Sequence, residues 1–165
     1  VACDVTAESN DKQQAEPMAH LTVASLAQAG IVPPKDATGA MQKIPATYDS
    51  GYYSAAAAAA VEQLGFDPYM ATERQRHHAP AAEHPDRLAT AQERMAAKVR
   101  TPEGRAVYAR RKVIVEPVFG QIKEGRGFRR FLLRGLDHIR GEWRLVCVTH
   151  NLLKIWRYSW TPFPM

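Results

Sequence analysis

Six consecutive alanines, Ala55 to Ala60, stand between Ser54 and Gly65. They restrict the fold of the first part of the chain more than any other feature. Alanine has the best helix propensity and a side chain small enough to let elements approach, so the run reads as a helix packed closely on a sheet. Ser54 can cap that helix and Gly65 can close it. Before it, Lys43–Tyr48 is patterned as a strand running into Asp49, and Gly51 permits a tight turn at the strand end. After it, Asp67–Thr72 reads as a short further strand. Upstream, Val1–Thr6 is rich in β-branched residues and reads as a strand. Ser9-Asn10-Asp11 reads as a turn and helix cap, and Gln13–Gln28 as a helix ended by Gly30, with Pro33 and Pro34 confirming the break. Strand, helix, strand, helix, strand in this order predicts an α/β layer with a crossover.

The second half has a different pattern. Glu73–Asp86 is polar and reads as a loop or insertion; its His77, His78 and His84 lack a cysteine or carboxylate at zinc-ligand spacing. Arg87–Lys98 has a helical pattern. Thr101-Pro102-Glu103 is a start signal for the next helix: a cap, a proline at the first position, then an acid. That helix carries Tyr108 and reaches Glu116. Val107, Ile114, Val118 and Ile122 repeat at steps of seven, four and four and predict a buried stripe. Pro117 removes a backbone donor and predicts a kink or a fresh helix start there. Lys123–Arg134 reads as a basic loop with Gly125 and Gly127. Leu136–Trp156 reads as a final amphipathic helix with Leu145, Val148, Leu152 and Ile155 on one face. Trp143, Cys147 and His150 on that helix are expected to pack rather than to act.

Charge is divided unevenly. Lys98 to Arg157 holds fifteen bases and five acids, a net +10, whereas the whole chain is +5. The asymmetry points to a polyanionic partner for the C-terminal part. Glu116 is an isolated acid inside this segment, in helical register with Lys112 and Lys123, and spacing alone is satisfied by a surface ion pair. No apolar run approaches a membrane span. Cys3 and Cys147 lie far apart in sequence and read as free thiols of a reducing, cytoplasmic compartment.

Three blocks carry a resemblance: Arg111-Lys112-Val113-Ile114-Val115-Glu116-Pro117-Val118-Phe119-Gly120-Gln121-Ile122-Lys123, then Gly127-Phe128-Arg129-Arg130-Phe131-Leu132-Leu133-Arg134, then Glu142 through Trp143 to His150-Asn151. With Thr47-Tyr48-Asp49-Ser50-Gly51-Tyr52-Tyr53-Ser54 they closely resemble the C-terminal end of bacterial insertion-sequence transposases of the Asp-Asp-Glu class. The resemblance implies a ribonuclease-H-like α/β domain, N-terminally truncated and ending in a helical part. On that basis residues 1–165 form one partial catalytic domain. Residues 1–72 carry the second acid, 73–100 an insertion or linker, 101–157 the catalytic glutamate and basic segment, and 158–165 a tail.

The same resemblance makes Asp49 the second acid of the triad and Glu116 the third, both ligands of Mg²⁺ (or Mn²⁺). The first acid is expected upstream of Val1. The family's tyrosine–arginine–glutamate–lysine signature falls on Tyr108, Arg111, Glu116 and Lys123, with one residue more than usual between Arg111 and Glu116, so that Lys112 has the usual spacing. Tyr108, Arg111, Lys112, Lys123, Arg126, Arg129, Arg130 and Arg134 are the expected DNA contacts. Duplex DNA is the implied partner, with a homo-oligomer in the longer protein. A different reading is a non-catalytic basic DNA-binding module, or a decayed remnant of a transposase.

Overall fold

The computed structural model of the chain describes residues 3–8, 11–72 and 90–160. They fall into two compact units. One comprises residues 8, 11–72 and 90–114, the other 3–7 and 115–160.

In the first unit a 3-10 turn, Asp11–Gln13, leads into α1, Ala15–Gln28. Gly30, at φ +66°, follows the end of α1 in the left-handed region that glycine adopts without strain. Strand β1, Ile44–Tyr48, is joined through helix α2, Ala55–Gln63, to strand β2, Phe66–Met70. The two strands pair in parallel, Ile44 opposite Phe66 through Tyr48 opposite Met70. Parallel neighbours need a crossover, and the alanine run provides it. The Ser54 side chain accepts from Ala57 N at 3.0 Å and caps α2 as expected. Ala15, Ala19, Ala57, Val61, Phe66 and Met70 form the core. Four alternating elements from α1 to β2 thus follow the expected order within one or two residues.

Two further helices complete this unit. Helix α3, Ala91–Arg100, opens on a reciprocal cap, in which the Thr90 side chain accepts from Glu93 N and Glu93 accepts from Thr90 N. It is tied to β2 by Lys98, whose Nζ lies 2.5 Å from Asp67 Oδ1 and 2.9 Å from the Pro68 carbonyl. Helix α4, Pro102–Ile114, starts where the Thr-Pro-Glu signal places it. Between the two helices Gly104 is buried, and a Cβ placed on it would stand 2.0 Å from the Lys98 carbonyl oxygen. Gly104→Ala is therefore expected to lower stability by about 2–3 kcal/mol, although alanine ordinarily gains about 1 kcal/mol over glycine in a helix. Urea denaturation checks this; an unchanged or raised midpoint contradicts it.

The second unit contains α5, Glu116–Gly120, a π-helical turn, Gln121–Gly125, and α6, Leu136–Trp160. Pro117 stands in the first turn of α5, which is the fresh helix start expected at that residue. Phe119 stacks on Trp143 with ring centroids 6.1 Å apart, and Phe131 meets the same indole edge-on at 6.4 Å. The Glu142 carboxylate accepts from the backbone N–H groups of Leu132 and Leu133 at 3.0–3.1 Å, which fastens the glycine-containing loop to α6.

Three expectations are corrected. Cys3–Thr6 forms no strand; there Arg140 Nε lies 3.0 Å from both the Asp4 carboxylate and the Val5 carbonyl, so α6 supplies the partners a sheet would have supplied. The predicted stripe does not bury as a unit: Ile122 is buried, but Ile114 at the end of α4 is 57 % exposed. The break at Pro117 interrupts the helical phase on which the stripe depended. On α6, Leu145, Val148, Leu152 and Ile155 are 53–64 % exposed. The covered side is instead Trp143, Val146, His150 and Leu153, because the aromatic cluster packs on the face bearing Trp143. The loop expected over Glu73–Asp86, with its three histidines, lies outside the described residues.

Candidate active site

Asp49 sits where β1 ends. Its backbone is extended, and its carbonyl accepts from Tyr52 N at 3.0 Å, which opens the 3-10 turn Ser50–Tyr52. A Cβ at Gly51 would stand 3.4 Å from the Asp11 carboxylate, an ordinary contact, so the turn lies beside Asp11 without requiring glycine. Tyr52 is pushed towards higher pKa by burial, then by the charges of Asp11 and Asp49. This surrounding holds the hydroxyl in its neutral, hydrogen-bonding form.

Helix α4 brings two residues of the expected signature to Asp49. Arg111 Nη1 lies 2.5 Å from Asp49 Oδ1. The same nitrogen donates to the Tyr108 hydroxyl at 2.8 Å, and that hydroxyl donates to the Tyr48 carbonyl at 3.3 Å. Burial works against the Arg111 charge, but Tyr108 and then Asp49 outweigh it and raise its pKa. Lys112, which has the more usual spacing from Glu116, is exposed. The three-residue step from Tyr108 to Arg111 places both side chains on the same helical face, whereas Lys112 is turned a further 100° away.

In the second unit, Glu116 is exposed in the first turn of α5, and Lys123 is exposed in the π-helical turn. The basic loop is not uniform. Arg126 donates to Thr149 Oγ1 at 2.8 Å and to the Thr149 carbonyl at 2.9 Å, and Arg129 pairs with Glu124. Arg130 and Arg134 are exposed. Counting charges gave no means of separating these roles, and the acceptors, Thr149 and Glu124, belong to no charge pattern.

Two further groups belong to the second unit, Cys147, which is half-buried, and His150, which is buried. The Cys147 thiol is hydrogen-bonded with Cys3, and burial followed by that contact pushes it up to about 11. Both are free thiols, as expected, although they lie together in space while far apart in sequence. His150 is 4 % exposed, as expected of a packed residue, and its Nε2 has no hydrogen-bond partner among the described residues. Burial lowers its pKa, and Lys154, Arg126 and Arg157 lower it further. The unfolded chain then binds a proton that the folded chain refuses, so stability falls as pH drops below about 6.5, the unperturbed histidine value. A melting temperature that declines between pH 7 and pH 5, with the decline reduced in His150→Gln, is the expected result.

Asp49 offers a hard oxygen donor on a side chain 60 % exposed, which suits an ion such as Mg²⁺ that binds through one or two carboxylates and keeps waters. Among the described residues, no three His, Cys, Asp or Glu side chains are grouped to hold a metal. Among the described residues, no helix is long and apolar enough to cross a membrane.

A family model described as a transposase DDE domain matches residues 70–156. No curated protein matched the chain, and no solved structure did.

Proposed function

Because the chain belongs to the transposase DDE domain family, we propose that it serves DNA transposition, cleaving and joining DNA strands at insertion-sequence ends in a Mg²⁺- or Mn²⁺-dependent reaction. The observation that carries this reading is the family match over residues 70–156, which includes Glu116 and all of the basic segment but Arg157. Asp49 and Glu116 are the carboxylates that hold the ion. When bound, the ion supplies activation of the attacking hydroxyl and stabilisation of the leaving oxygen.

The chain's own residues have separable tasks. Tyr108 and Arg111 hold Asp49 at the end of β1. Lys112, Lys123, Arg130 and Arg134 present exposed charge for phosphate contact, while Arg126 and Arg129 shape the loop that carries them. The family's ribonuclease-H-like fold accords with the β1–α2–β2 unit and its parallel pairing.

The test is incubation of the protein carrying this domain with duplex DNA bearing the element's ends, with Mg²⁺ or with a chelator. Nicks at the ends that vanish with the chelator are expected. Salt-sensitive binding without nicks under any divalent ion would favour the other reading, a basic DNA-binding module.

A further inference from the structure

We infer that Arg111 is a positioning residue for Asp49, paired with one oxygen of the carboxylate that a divalent cation would engage, so that an ion entering at Asp49 competes with Arg111. This rests on the reading of Asp49 as a metal ligand, but it assigns Arg111 a role different from the expected phosphate contact. The argument begins with hydrogen counting. A guanidinium Nη carries two hydrogens. On Arg111 Nη1 one is directed to Asp49 Oδ1 at 2.5 Å and the other to the Tyr108 hydroxyl at 2.8 Å. Bidentate phosphate recognition uses two free parallel N–H groups, and one of the two terminal nitrogens is already committed.

The contacts close a ring. The Tyr108 hydroxyl donates to the Tyr48 carbonyl, and Tyr48 precedes Asp49 in the chain. Tyr48, Tyr108, Arg111 and Asp49 thus brace one another at the end of β1. The ring fixes where the carboxylate points and neutralises its charge. Release is nonetheless accessible, because Asp49 is 60 % exposed and water screens the pair. Arg111 therefore keeps Asp49 oriented without ion, and competes only modestly when one arrives.

A Mn²⁺ titration tests this, read by paramagnetic broadening of the backbone amide signals of Tyr48, Asp49 and Ser50. Arg111→Gln is expected to tighten Mn²⁺ binding about two- to fivefold, the range for a screened ion pair. Arg111→Lys, which keeps the charge, is expected to stay close to the unaltered protein. Tyr108→Phe, which frees Arg111 from one partner while keeping the ring, is expected to fall between, and it provides a readout should Arg111→Gln fold poorly. In every background Asp49→Asn should remove the broadening. Binding unchanged or weakened in both Arg111→Gln and Tyr108→Phe, with Asp49→Asn still abolishing it, would overturn the role of Arg111 and leave the metal reading standing. Broadening that persists in Asp49→Asn would remove the metal reading itself, and the inference with it.

Discussion

Raising salt from 50 to 200 mM is expected to weaken duplex DNA binding by about 100-fold. The magnitude follows from which cations are available. Eight residues of the basic segment were candidates, but Tyr108 is uncharged, Arg111 is committed to Asp49, Arg126 to Thr149 and Arg129 to Glu124. Lys112, Lys123, Arg130 and Arg134 remain exposed. Four phosphate contacts give a slope of about −3.6 in log affinity against log salt, and a fourfold rise in salt then costs about two decades. Replacing Arg130 and Arg134 together should flatten the slope by about two while leaving sequence preference alone. Arg126→Ala should behave otherwise: it removes the link to α6 and lowers the melting temperature with little change in slope. Fluorescence anisotropy over a salt series measures all of these. Affinity that is flat in salt would contradict the assignment of these four cations.

Local chemistry explains how much of the fold was legible. Ser54, the alanine run and Gly65 write a capped helix into twelve residues, and α2 forms there because propensity, cap and stop agree. Thr101-Pro102-Glu103 and Pro117 were equally readable, since both act through the backbone within one turn. Cys3–Thr6 was not, because what decides it is Arg140, more than 130 positions away. The apolar side of α6 misled for a similar reason. Periodicity identifies a face, but the partner of that face is set by Trp143 and the phenylalanines stacked on it.

The site divides in the same way. Asp49 and Glu116 were named through a motif, and nothing in their spacing of 67 residues carries that information. The place of Arg111 beside Asp49 was not legible: spacing from Glu116 pointed equally to Lys112. What selects Arg111 is its helical step from Tyr108, which turns both side chains towards the end of β1. Glu142 was read as one acid in a basic segment and as the start of a motif block, yet its carboxylate closes the loop at Leu132 and Leu133. Backbone N–H acceptor roles of this kind leave no mark in composition.

The most direct measurement is cleavage of end-bearing duplex DNA by the protein carrying this domain, comparing the unaltered sequence with Asp49→Ala and Glu116→Ala in Mg²⁺ and in Mn²⁺. Substitution of groups that merely orient a metal ligand typically costs 10- to 100-fold, so loss of a ligand itself should cost at least about 100-fold. Neither carboxylate adds positive charge to the DNA surface, so binding should stay within about twofold of the unaltered protein. The account predicts that each substitution alone abolishes metal-dependent nicking while DNA binding is retained. Nicking that survives in Asp49→Ala or in Glu116→Ala at an undiminished rate would contradict it.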